Sequence, residues 1–282
     1  MNSIADELNW DDMRLFLATM RASSLRHVAE SMGISRPTAG RHLSALEARL
    51  GVKLFDRRPD GLHATPEAMS LVGAAEEVER AVQTATRVVR NVRTELRGPV
   101  RVTLPDIVAS ELLMPTLTAF CQQWPQIELH IEASYALTNL ARAEADVAIR
   151  FMQHGTTPDP DLTGRLAANA HVAAYGSGDS WIGQGGANGW VANTPFPKLA
   201  VRGSMRNALL QRSACRAGLG RSWLPCFFAE PMLTRCSEPI PGWDIWVLVH
   251  PDLRRNPRLK VFRDVVVEAL RAQTARLEGR PA

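Results

Sequence analysis

The sequence predicts a helical N-terminal domain, a long linker helix and a C-terminal α/β domain with two lobes. Three observations lead to this prediction: apolar residues recur at helical spacing between residues 10 and 50, an uninterrupted helical pattern follows Pro66, and strand-like and helical segments alternate after Gly98. A chain of 282 residues, 45% of them apolar, is long enough for about two domains with separate cores.

Positive charge is concentrated near the N-terminus. The whole chain carries a formal charge of +4, but residues 13–65 hold nine lysines or arginines against four acids. This local excess suggests a polyanionic partner. The acidic first residues do not resemble a signal peptide, and no apolar stretch approaches membrane-spanning length. We therefore expect a soluble, cytoplasmic protein without a membrane partner.

The four cysteines show no metal-binding pattern. Cys121, Cys215, Cys226 and Cys236 form no CxxC pair and have no Cys/His ligand spacing, so we expect neither a metal site nor another cofactor. Reduced, buried thiols are the preferred interpretation. The alternative is a disulfide between Cys226 and Cys236 that responds to oxidants.

Three helices are predicted in the first 50 residues. The first starts at Trp10, and the second runs through SLRHVAES, with Ser24 as N-cap and Gly33 as the left-handed residue that ends it. The third follows Ser35 as its N-cap, with Pro37 in the first turn, where the missing N–H costs nothing. Their apolar residues are Trp10, Met13, Phe16, Leu17, Met20, Leu25, Val28, Ala29, Met32, Ala39, Leu43, Leu46 and Leu50. A glycine turn followed by a helix with a small, polar and basic outer face indicates a helix-turn-helix.

A two-stranded wing is predicted after the third helix. VKLF (52–55) is strand-like, Pro59-Asp60-Gly61 forms a turn, and a short return strand follows. Residues 1–65 are therefore predicted to form a winged helix-turn-helix domain. Thr65-Pro66-Glu67 has the cap-and-proline pattern that starts a new helix.

The linker helix, residues 66–97, carries an apolar stripe at coiled-coil spacing. The separations alternate between four and three residues, as in a heptad seam that contacts a partner helix. The seam consists of Leu71, Ala75, Val78, Val82, Ala85, Val89, Val92 and Leu96. We predict a dimer through this helix; the alternative is a helix that lies on the core of its own domain.

The pattern after Gly98-Pro99 predicts two small α/β lobes, lobe 1 over about 98–165 and 250–282 and lobe 2 over about 166–249. The segments of the first lobe are VRVTL (100–104), a helix with Leu113, Leu117, Phe120 and Trp124, IELHIEA (127–133), a short helix TNLARAEA (138–145) and VAIRF (147–151). The later segments are HVAAYG (171–176), KLAVR (198–202), a helix from Ser204 to about Ala217, GLGRSWLP (218–225), IWVLVH (245–250) and a helix around 257–278. A β-α-β-α-β order predicts parallel strands, and a ligand cleft is expected at their carboxyl ends.

The sequence resembles the LysR-type transcriptional regulator family. The resemblance is carried by Phe16-Leu17, by AESMGISRP (29–37), by Leu43 and Leu46-Glu47, by Leu50-Gly51 with LFDR (54–57), and by Ala64-Thr65-Pro66. It continues more weakly through ADVAIRF, RAGLGRSWLPCFFAEP and WVLVHPDLRRNPRLKVF. The resemblance implies a sequence-specific DNA-binding regulator whose C-terminal domain, 98–282, is similar to periplasmic binding proteins and binds a small-molecule effector.

The DNA-contacting residues are predicted on the third helix and the wing: Ser35, Arg36, Pro37, Thr38, Arg41, His42, Arg57 and Arg58. Arg36, Thr38 and Arg41 are the candidates for base edges, while His42 and Ser44 suit the DNA backbone. Because Arg36, Gly40 and His42 differ from the residues common in the family, base preference is not carried over. Asp60 stands where the family usually has arginine, which shifts the predicted phosphate contact to Arg57 and Arg58. Outside this context, an exposed arginine would simply be solvated.

The effector cleft is expected to involve Pro105, Asp106, Ile107, Arg150, Arg202 and Ser204. The family often has serine or threonine near Asp106 to hold anionic ligands, so this chain favours a carboxylate effector less. Each polar candidate has an alternative: Asp106 and Ser204 as helix caps, and Arg150 in a hinge salt bridge. The glycine-rich stretch GSGDSWIGQGGANG (176–189) lacks a phosphate-loop lysine and is interpreted as a flexible loop.

The resemblance also implies the partners. They are double-stranded DNA with a pseudo-palindromic operator, a second copy of the chain, a small-molecule effector and RNA polymerase, with a tetramer through effector-domain contacts. Two alternatives remain within this class: a regulator without ligand control, because its second lobe is shortened between Tyr175 and Trp181, and one with a cysteine redox switch. An enzyme or solute-binding module is disfavoured because no GxSxG, HExxH or paired Cys/His signature occurs.

Overall fold

The computed structural model describes residues 8–22, 24–59, 61–91, 96–135, 145–185 and 188–280. The chain forms two compact units, residues 1–89 and residues 90–282, which we call the N-terminal unit and the C-terminal unit. Each unit has its own apolar core. The predicted division of the chain at residues 65 and 97 remains a prediction.

The first helices and the wing have the predicted order. They are α1 (Trp10–Ala22), α2 (Leu25–Met32), α3 (Arg36–Leu50), β1 (Phe55–Arg58) and β2 (Gly61–Ala64). Their common core consists of Phe16, Val28, Ala39, Leu43, Leu46, Phe55 and Leu62, with smaller neighbours. The three helices therefore pack through the apolar stripes that the sequence predicts.

The turn between α2 and α3 has the predicted chemistry. Gly33 adopts φ 67°, and Ile34 donates its N–H to the carbonyl of Ala29 at 3.0 Å. Ser35 caps α3, because its side chain accepts the N–H of Thr38 at 3.3 Å. Ser24 is the N-cap residue of α2, as predicted, although its side chain makes no cap bond.

The wing starts later than predicted. Of VKLF, only Phe55 lies in β1, and β1 pairs with β2 from Phe55 opposite Ala64 to Arg58 opposite Gly61. The preceding backbone is bound elsewhere: the buried carboxylate of Glu47 on α3 accepts the N–H groups of Leu54 at 2.9 Å and Phe55 at 3.1 Å. Glu47 thus attaches the wing to the helix. Asp60, in the predicted turn, lies outside the described residues.

Helix α4 (Pro66–Asn91) begins as predicted, with Thr65 Oγ1 accepting the N–H of Ala68 at 3.2 Å. The first part of the predicted seam packs on the N-terminal unit: Ala75 is fully buried there and Leu71 is partly buried. For these two positions the alternative interpretation is correct. Val78, by contrast, is 40% exposed, and the helix is further attached by two hydrogen bonds from Arg21 to Glu79.

The end of the predicted linker helix differs from the structure. Side chains from 87 to 91 and the whole of 92–95 lie outside the described part, so Val89 and Val92 are untested. Leu96 lies in a bend rather than in a helix, because the chain already enters a sheet there: Gly98 donates its N–H to the carbonyl of Gln126 at 2.8 Å.

The C-terminal unit is built on one eight-stranded sheet with the order β4-β3-β5-β10-β6-β9-β7-β8. Its strands are β3 (Gly98–Leu104), β4 (Ile127–Ala133), β5 (Val147–Gln153), β6 (Thr163–Gly176), β7 (Ser180–Gly183), β8 (Ala200–Ser204), β9 (Arg221–Pro225) and β10 (Ile240–Val249). Its helices are α5 (Asp106–Val108), a π turn (Ala109–Leu113), α6 (Met114–Gln123), α7 (Ala208–Arg216), α8 (Cys226–Ala229), α9 (Pro257–Ala272) and α10 (Thr274–Leu277), with short 3-10 turns at Asn188–Asn193 and Pro251–Leu253.

The sheet joins the two predicted lobes through its longest strands. β3 is parallel to β4 and β5, as the β-α-β order predicts. The long antiparallel pair of β6 and β10 then continues the sheet, and the last part of β6 pairs with β9. The α/β fold class is therefore confirmed, with one continuous sheet rather than two separate ones.

Several predicted boundaries are wrong in the C-terminal unit. β3 begins at Gly98, β6 extends back to Thr163, and Trp124 follows the end of α6. Ser204 does not start a helix, because it is paired in β8, and Asn207 caps α7 instead, accepting the N–H of Leu209 at 2.8 Å. The predicted helix TNLARAEA lies almost entirely outside the described residues.

Glu47 provides a test of how the wing is held. Burial raises the pKa of its carboxyl, but the hydrogen bonds from Lys53, Leu54 and Phe55 outweigh burial and lower it below the ordinary value. A lowered folded-state pKa adds stability that is complete above the unfolded pKa and is lost as pH falls through the folded one. We expect Glu47→Gln to reduce the free energy of unfolding by about 1–2 kcal/mol at pH 7.

Urea denaturation followed by circular dichroism at pH 7 and pH 3 measures this effect. The difference between wild type and Glu47→Gln should be smaller at pH 3 than at pH 7, because the stability that comes from a lowered carboxyl pKa is lost as the carboxylate becomes protonated. Glu30→Gln is the matched control, because Glu30 pairs with Arg26 on the exposed surface and should contribute less than about 0.5 kcal/mol. An equal effect of the two substitutions at pH 7 would contradict the role of Glu47.

Candidate functional site

A polar strip runs along the exposed side of α3. Ser35, Thr38, Arg41 and Ser44 are spaced by three residues, so they lie along one side of the helix. Ser35 Oγ and Thr38 Oγ1 are 2.8 Å apart, and Arg41 donates to Thr38 Oγ1 at 3.4 Å. From the wing, Arg57 donates to Ser44 Oγ at 3.4 Å. We call Ser35, Thr38, Arg41, Ser44 and Arg57 the recognition strip.

The recognition strip borders an open groove of about 670 Å³. Leu25 lies 3.8 Å from the position that a Cβ atom would take at Gly40. The groove is lined by Leu25, Arg36, Pro37, Gly40, Arg41, Ser44 and Arg57. Three guanidinium groups therefore border the groove.

His42 lies on a different side of the helix. It lines a second groove, of about 430 Å³, between α1 and α3, together with Arg14 and Arg49. The structure thus separates His42 from Arg36 and Arg41. Arg58 is exposed on the wing, 3.9 Å from the carboxylate of Asp56.

This arrangement suits a nucleic acid better than a small anion. The guanidinium groups of Arg36, Arg41 and Arg57 are exposed and offer forked donors, which match phosphate oxygens and the guanine edge. Hydroxyl groups from Ser35, Thr38 and Ser44 lie between them. An exposed helix with such a face fits the width of the DNA major groove.

The C-terminal unit contains a cavity of about 620 Å³, within the usual range for small-molecule sites. Its lining residues are Ile107, Tyr135, Phe151, Ile182, Gly183, Gln184, Gly185, Trp190, Arg206, Ala208, Gln211, Trp223, Pro225 and Trp243. These residues come from strands on both sides of β6 in the sheet. Phe151 lies on β5 and Trp243 on β10, whereas Trp223 lies on β9. We call this the sheet cavity.

Aromatic contacts fix two walls of the sheet cavity. The rings of Phe151 and Trp243 are 6.3 Å apart. Trp190 and Trp223 pack edge-on against the fully buried Trp181, at 5.5 and 6.4 Å. Trp181 is held in turn, because its indole N–H donates to the carbonyl of Phe196 at 3.0 Å.

The predicted effector loop only partly reaches the sheet cavity. Ile107 lines it, whereas Pro105 is the buried N-cap residue of α5. Asp106 is not the N-cap: it follows Pro105, and its Oδ1 accepts the N–H of Ile107 at 2.9 Å and the hydroxyl of Tyr135 at 2.6 Å. Tyr135 lines the cavity, so Asp106 acts there through that hydroxyl. Burial and this bond raise the pKa of Tyr135.

Arg150 is not among the residues that line the sheet cavity. Its side chain is 1% exposed and donates to the carbonyl groups of Thr103 and Ile149, each at 2.8 Å, and to Thr103 Oγ1 at 2.9 Å. Burial lowers its pKa to about 10, with the charge of Glu132 acting in the opposite direction. Arg150 thus cross-links β3 and β5 within the sheet.

Arg202 and Ser204 are exposed on β8 and are not among the cavity-lining residues either. The nearest charged group at the cavity is instead Arg206, two residues beyond the strand. The glycine-rich stretch is not simply a flexible loop, because it contains β7, whose residues Ile182 and Gly183 line the cavity. A Cβ atom at Gly183 would lie 3.1 Å from the Trp190 ring, so the glycine allows this close approach.

Sequence reasoning missed most of the sheet cavity. Phe151, Trp190, Trp223 and Trp243 are far apart in the chain and have no common spacing. The available signal was compositional: seven tryptophans, most of them in the second half of the chain. Trp243 reaches the cavity after an irregularity in β10, where Gly242 has no partner in the register with β6.

The cysteines agree only in part with the expectation of buried thiols. Cys215 and Cys226 are buried and Cys236 is half-buried, but Cys121 is exposed. Burial raises the pKa of the Cys215, Cys226 and Cys236 thiols, which disfavours the reactive thiolate form. Within the described part of the chain, no group of three His, Cys, Asp or Glu side chains could hold a metal ion. None of the described helices is both long and apolar enough to cross a membrane.

The fold and these two sites define a two-unit DNA-binding regulator. Residues 10–69 match the family model described as bacterial regulatory helix-turn-helix protein, lysR family, and residues 93–186 match the LysR substrate binding domain. Together the two matches cover more than half of the chain. The chain belongs to the LysR family of transcriptional regulators, as the sequence resemblance predicts.

Relatives and solved structures agree with this membership. The chain is 31% identical over 143 residues to the Mau operon transcriptional activator of Paracoccus denitrificans. This alignment covers 51% of this chain and 50% of that one. In an alignment of 296 positions it is 24% identical to the HTH-type transcriptional regulator CrgA of Neisseria meningitidis serogroup C (strain 8013). This alignment covers 93% of this chain and 97% of that one.

Two full-length solved structures share the fold. CrgA from Neisseria meningitidis has a TM-score of 0.54 and 22% identity, over 93% of this chain and 99% of that one. The virulence activator AphB from Vibrio cholerae has a TM-score of 0.60 and 18% identity, with the same coverage. These structures confirm the fold, whereas the family and the DNA-binding regulatory function are confirmed by the two family matches.

Arg150 allows a test of its structural role. Replacing it with leucine removes the side-chain donor that Thr103 and Ile149 share in the buried sheet, so we expect Arg150→Leu to lower the free energy of unfolding by about 2–3 kcal/mol. Arg202→Leu, on the exposed face of β8, should change it by less than about 0.5 kcal/mol. Urea denaturation of both variants measures the difference. Equal stabilities of the two variants would show that Arg150 does not hold the sheet.

Proposed function

We propose that the recognition strip, together with Arg36 and Arg58, binds one half of an operator in double-stranded DNA. Arg36, Thr38 and Arg41 contact base edges from the major groove, while Ser35, Arg57 and Arg58 contact the DNA backbone. The observation that supports this proposal is the hydrogen bond between the wing and α3, from Arg57 to Ser44 at 3.4 Å, because it holds a guanidinium group, which suits a phosphate, next to the polar side chains of α3. Pro37 contributes by starting α3 in the correct geometry.

His42 has a different role in this proposal. It lines the groove with Arg14 and Arg49, whereas Arg36 and Arg41 line the other groove. We propose that it contacts the DNA backbone from there. Its substitution should therefore weaken binding to all sequences alike.

We propose a dimer that is formed through the second half of the α4 seam. Val78 is exposed and Val82 is half-buried, while Leu71 and Ala75 are used by the core of the N-terminal unit. An exposed apolar row on a long helix is stabilised by a partner helix. The dimer would place two recognition strips on half-sites about 34–36 Å apart, which favours a pseudo-palindromic operator.

We further propose that a small-molecule effector binds in the sheet cavity and changes operator binding. The size of the cavity and its preformed aromatic walls support ligand control over the alternative of a regulator that has lost it. The raised thiol pKa values disfavour the alternative of a cysteine switch. We also propose that this protein is cytoplasmic and contacts RNA polymerase at the promoters it regulates.

Substitution of Arg41 tests the base-reading role. We expect Arg41→Ala to lower affinity for the selected operator by about 1–3 kcal/mol and to relax specificity at one position, because a bidentate base contact is lost. Arg57→Ala should instead weaken operator and random DNA equally and make the log-log salt slope shallower by about 0.9. Fluorescence anisotropy with genome-selected fragments, at several salt concentrations, measures both.

The control for these variants is Arg165→Ala, because Arg165 is an exposed arginine of the C-terminal unit that pairs with Asp264 at 3.0 Å. It should leave DNA affinity unchanged. Unchanged operator affinity of Arg41→Ala would remove Arg41 from the site, and a salt slope of zero for the wild type would contradict phosphate contact altogether.

A charge on the α4 seam tests the dimer. Val78→Glu combined with Val82→Glu should lower the apparent dimerisation affinity at least about tenfold, because like charges would be buried between the helices. Arg80→Glu adds a similar charge on the opposite side of α4 and should leave the dimer intact. Sedimentation velocity over a concentration series measures both. A dimer that is unaffected by the seam substitutions would place the interface elsewhere.

A further inference from the structure

We propose that the sheet cavity selects an uncharged aromatic ring compound that bears a hydrogen-bond donor, and that it discriminates against carboxylates. This inference rests on the proposed effector function of the same cavity and specifies the chemical class of its ligand. It follows from three properties of the lining: flat aromatic walls, acceptors rather than buried cations, and a fixed shape.

The walls favour a planar ring. Phe151, Trp190, Trp223 and Trp243 all line a cavity of about 620 Å³, which has room for one or two fused rings. Aromatic side chains attract other rings in stacked or edge-on geometry, in addition to the burial of apolar area. A saturated ligand of equal size would lose that additional attraction.

The shape of the cavity is set before any ligand binds. Trp190 and Trp223 are both packed against Trp181, which is fully buried and hydrogen-bonded to the backbone of Phe196. The absence of a side chain at Gly183 allows Trp190 to lie against β7. Rings that are held in this way need little ordering when a flat ligand enters, so they select for shape.

Two side chains at the cavity, Tyr135 and Gln211, present acceptor atoms. The Tyr135 hydroxyl already donates its proton to Asp106 at 2.6 Å, so toward a ligand it presents an oxygen lone pair beside a carboxylate. Gln211 is 1% exposed and donates its Nε2 to the carbonyl of Met205 at 3.0 Å, while its Oε1 has no hydrogen-bond partner among the described residues. A ligand hydroxyl or amino group that reached either acceptor would satisfy it.

The charges at the cavity disfavour a carboxylate ligand. Among the described lining residues, Arg206 carries the one formal charge, and it is exposed and therefore solvated. Asp106 adds negative charge at the Tyr135 side. A carboxylate entering between the aromatic walls would lose its hydration without gaining a buried cation. Its desolvation costs more free energy than the desolvation of a neutral donor.

Three matched probes test the proposal on the full-length chain by isothermal titration calorimetry at pH 7. They are 2-naphthol, which is neutral and a donor, 2-naphthoate, which is a carboxylate, and decahydro-2-naphthol, which is saturated. We expect 2-naphthol to bind at least about tenfold more tightly than either of the others. Equal or tighter binding of 2-naphthoate, equal binding of the saturated alcohol, or no binding of 2-naphthol would each overturn the proposal.

Variants locate the binding in the sheet cavity. Trp243→Ala should weaken 2-naphthol binding about tenfold, while Trp243→Phe, which retains a ring, should stay within about threefold of wild type. Phe151→Leu keeps the apolar volume without a ring and provides a second measurement if Trp243→Ala fails to fold. The exposed Met232→Ala, outside the cavity lining, is the control and should leave the affinity for 2-naphthol unchanged; loss of binding in this variant would overturn the assignment.

DNA affinity of the same samples separates this inference from the proposed function. Operator binding without binding of 2-naphthol would reject the ligand class alone. Binding of 2-naphthol that leaves operator affinity unchanged would reject the proposed effector coupling, while the assignment of the ligand class would stand.

Discussion

The buried carboxylate of Asp244 holds together the strands on which the C-terminal unit depends. It lies on β10, accepts a hydrogen bond from His154 Nδ1 at 2.8 Å and from the N–H of Gly155 at 3.0 Å, and is also bonded by the side-chain amide of Asn169 on β6. Burial raises its pKa, but these bonds and the charge of His154 outweigh burial and lower it. Three segments are thereby joined at one point, one residue from Trp243 in the cavity wall.

The N-terminal unit uses the same physical device. Glu47 is a buried carboxylate on a helix, and its acceptor oxygens bind the N–H groups of Leu54 and Phe55 where the wing begins. A buried carboxylate is stable only when it is fully hydrogen-bonded, so it permits a single arrangement of its partners. The wing arginine Arg57 is consequently held near Ser44 of α3, and the two sides of the recognition strip form one surface.

The local parts of the fold were predictable because their signals are local. Ser35 and Pro37 at the start of α3, Gly33 in the turn and Thr65-Pro66 at the start of α4 act on neighbouring residues, and the structure confirms each. Errors arose where a distant partner decides. VKLF is strand-like by composition, but Glu47 binds its backbone. Arg150 resembles a ligand-binding residue, but its donors are used by two acceptors of Thr103 on neighbouring β3 and by the carbonyl of Ile149.

The sequence by itself determined the family, the position of the recognition helix and the basic face that α3 presents, because caps, turns and helical periodicity depend on residues only a few positions apart. Only the tertiary structure decided which residues form the sheet cavity and how the α4 seam is divided between the core and solvent. Phe151, Trp190, Trp223 and Trp243 come together because the β6–β10 pair brings distant strands into one sheet. Such non-local pairing depends on strand register and on buried hydrogen bonds, and neither produces a periodic pattern in the sequence.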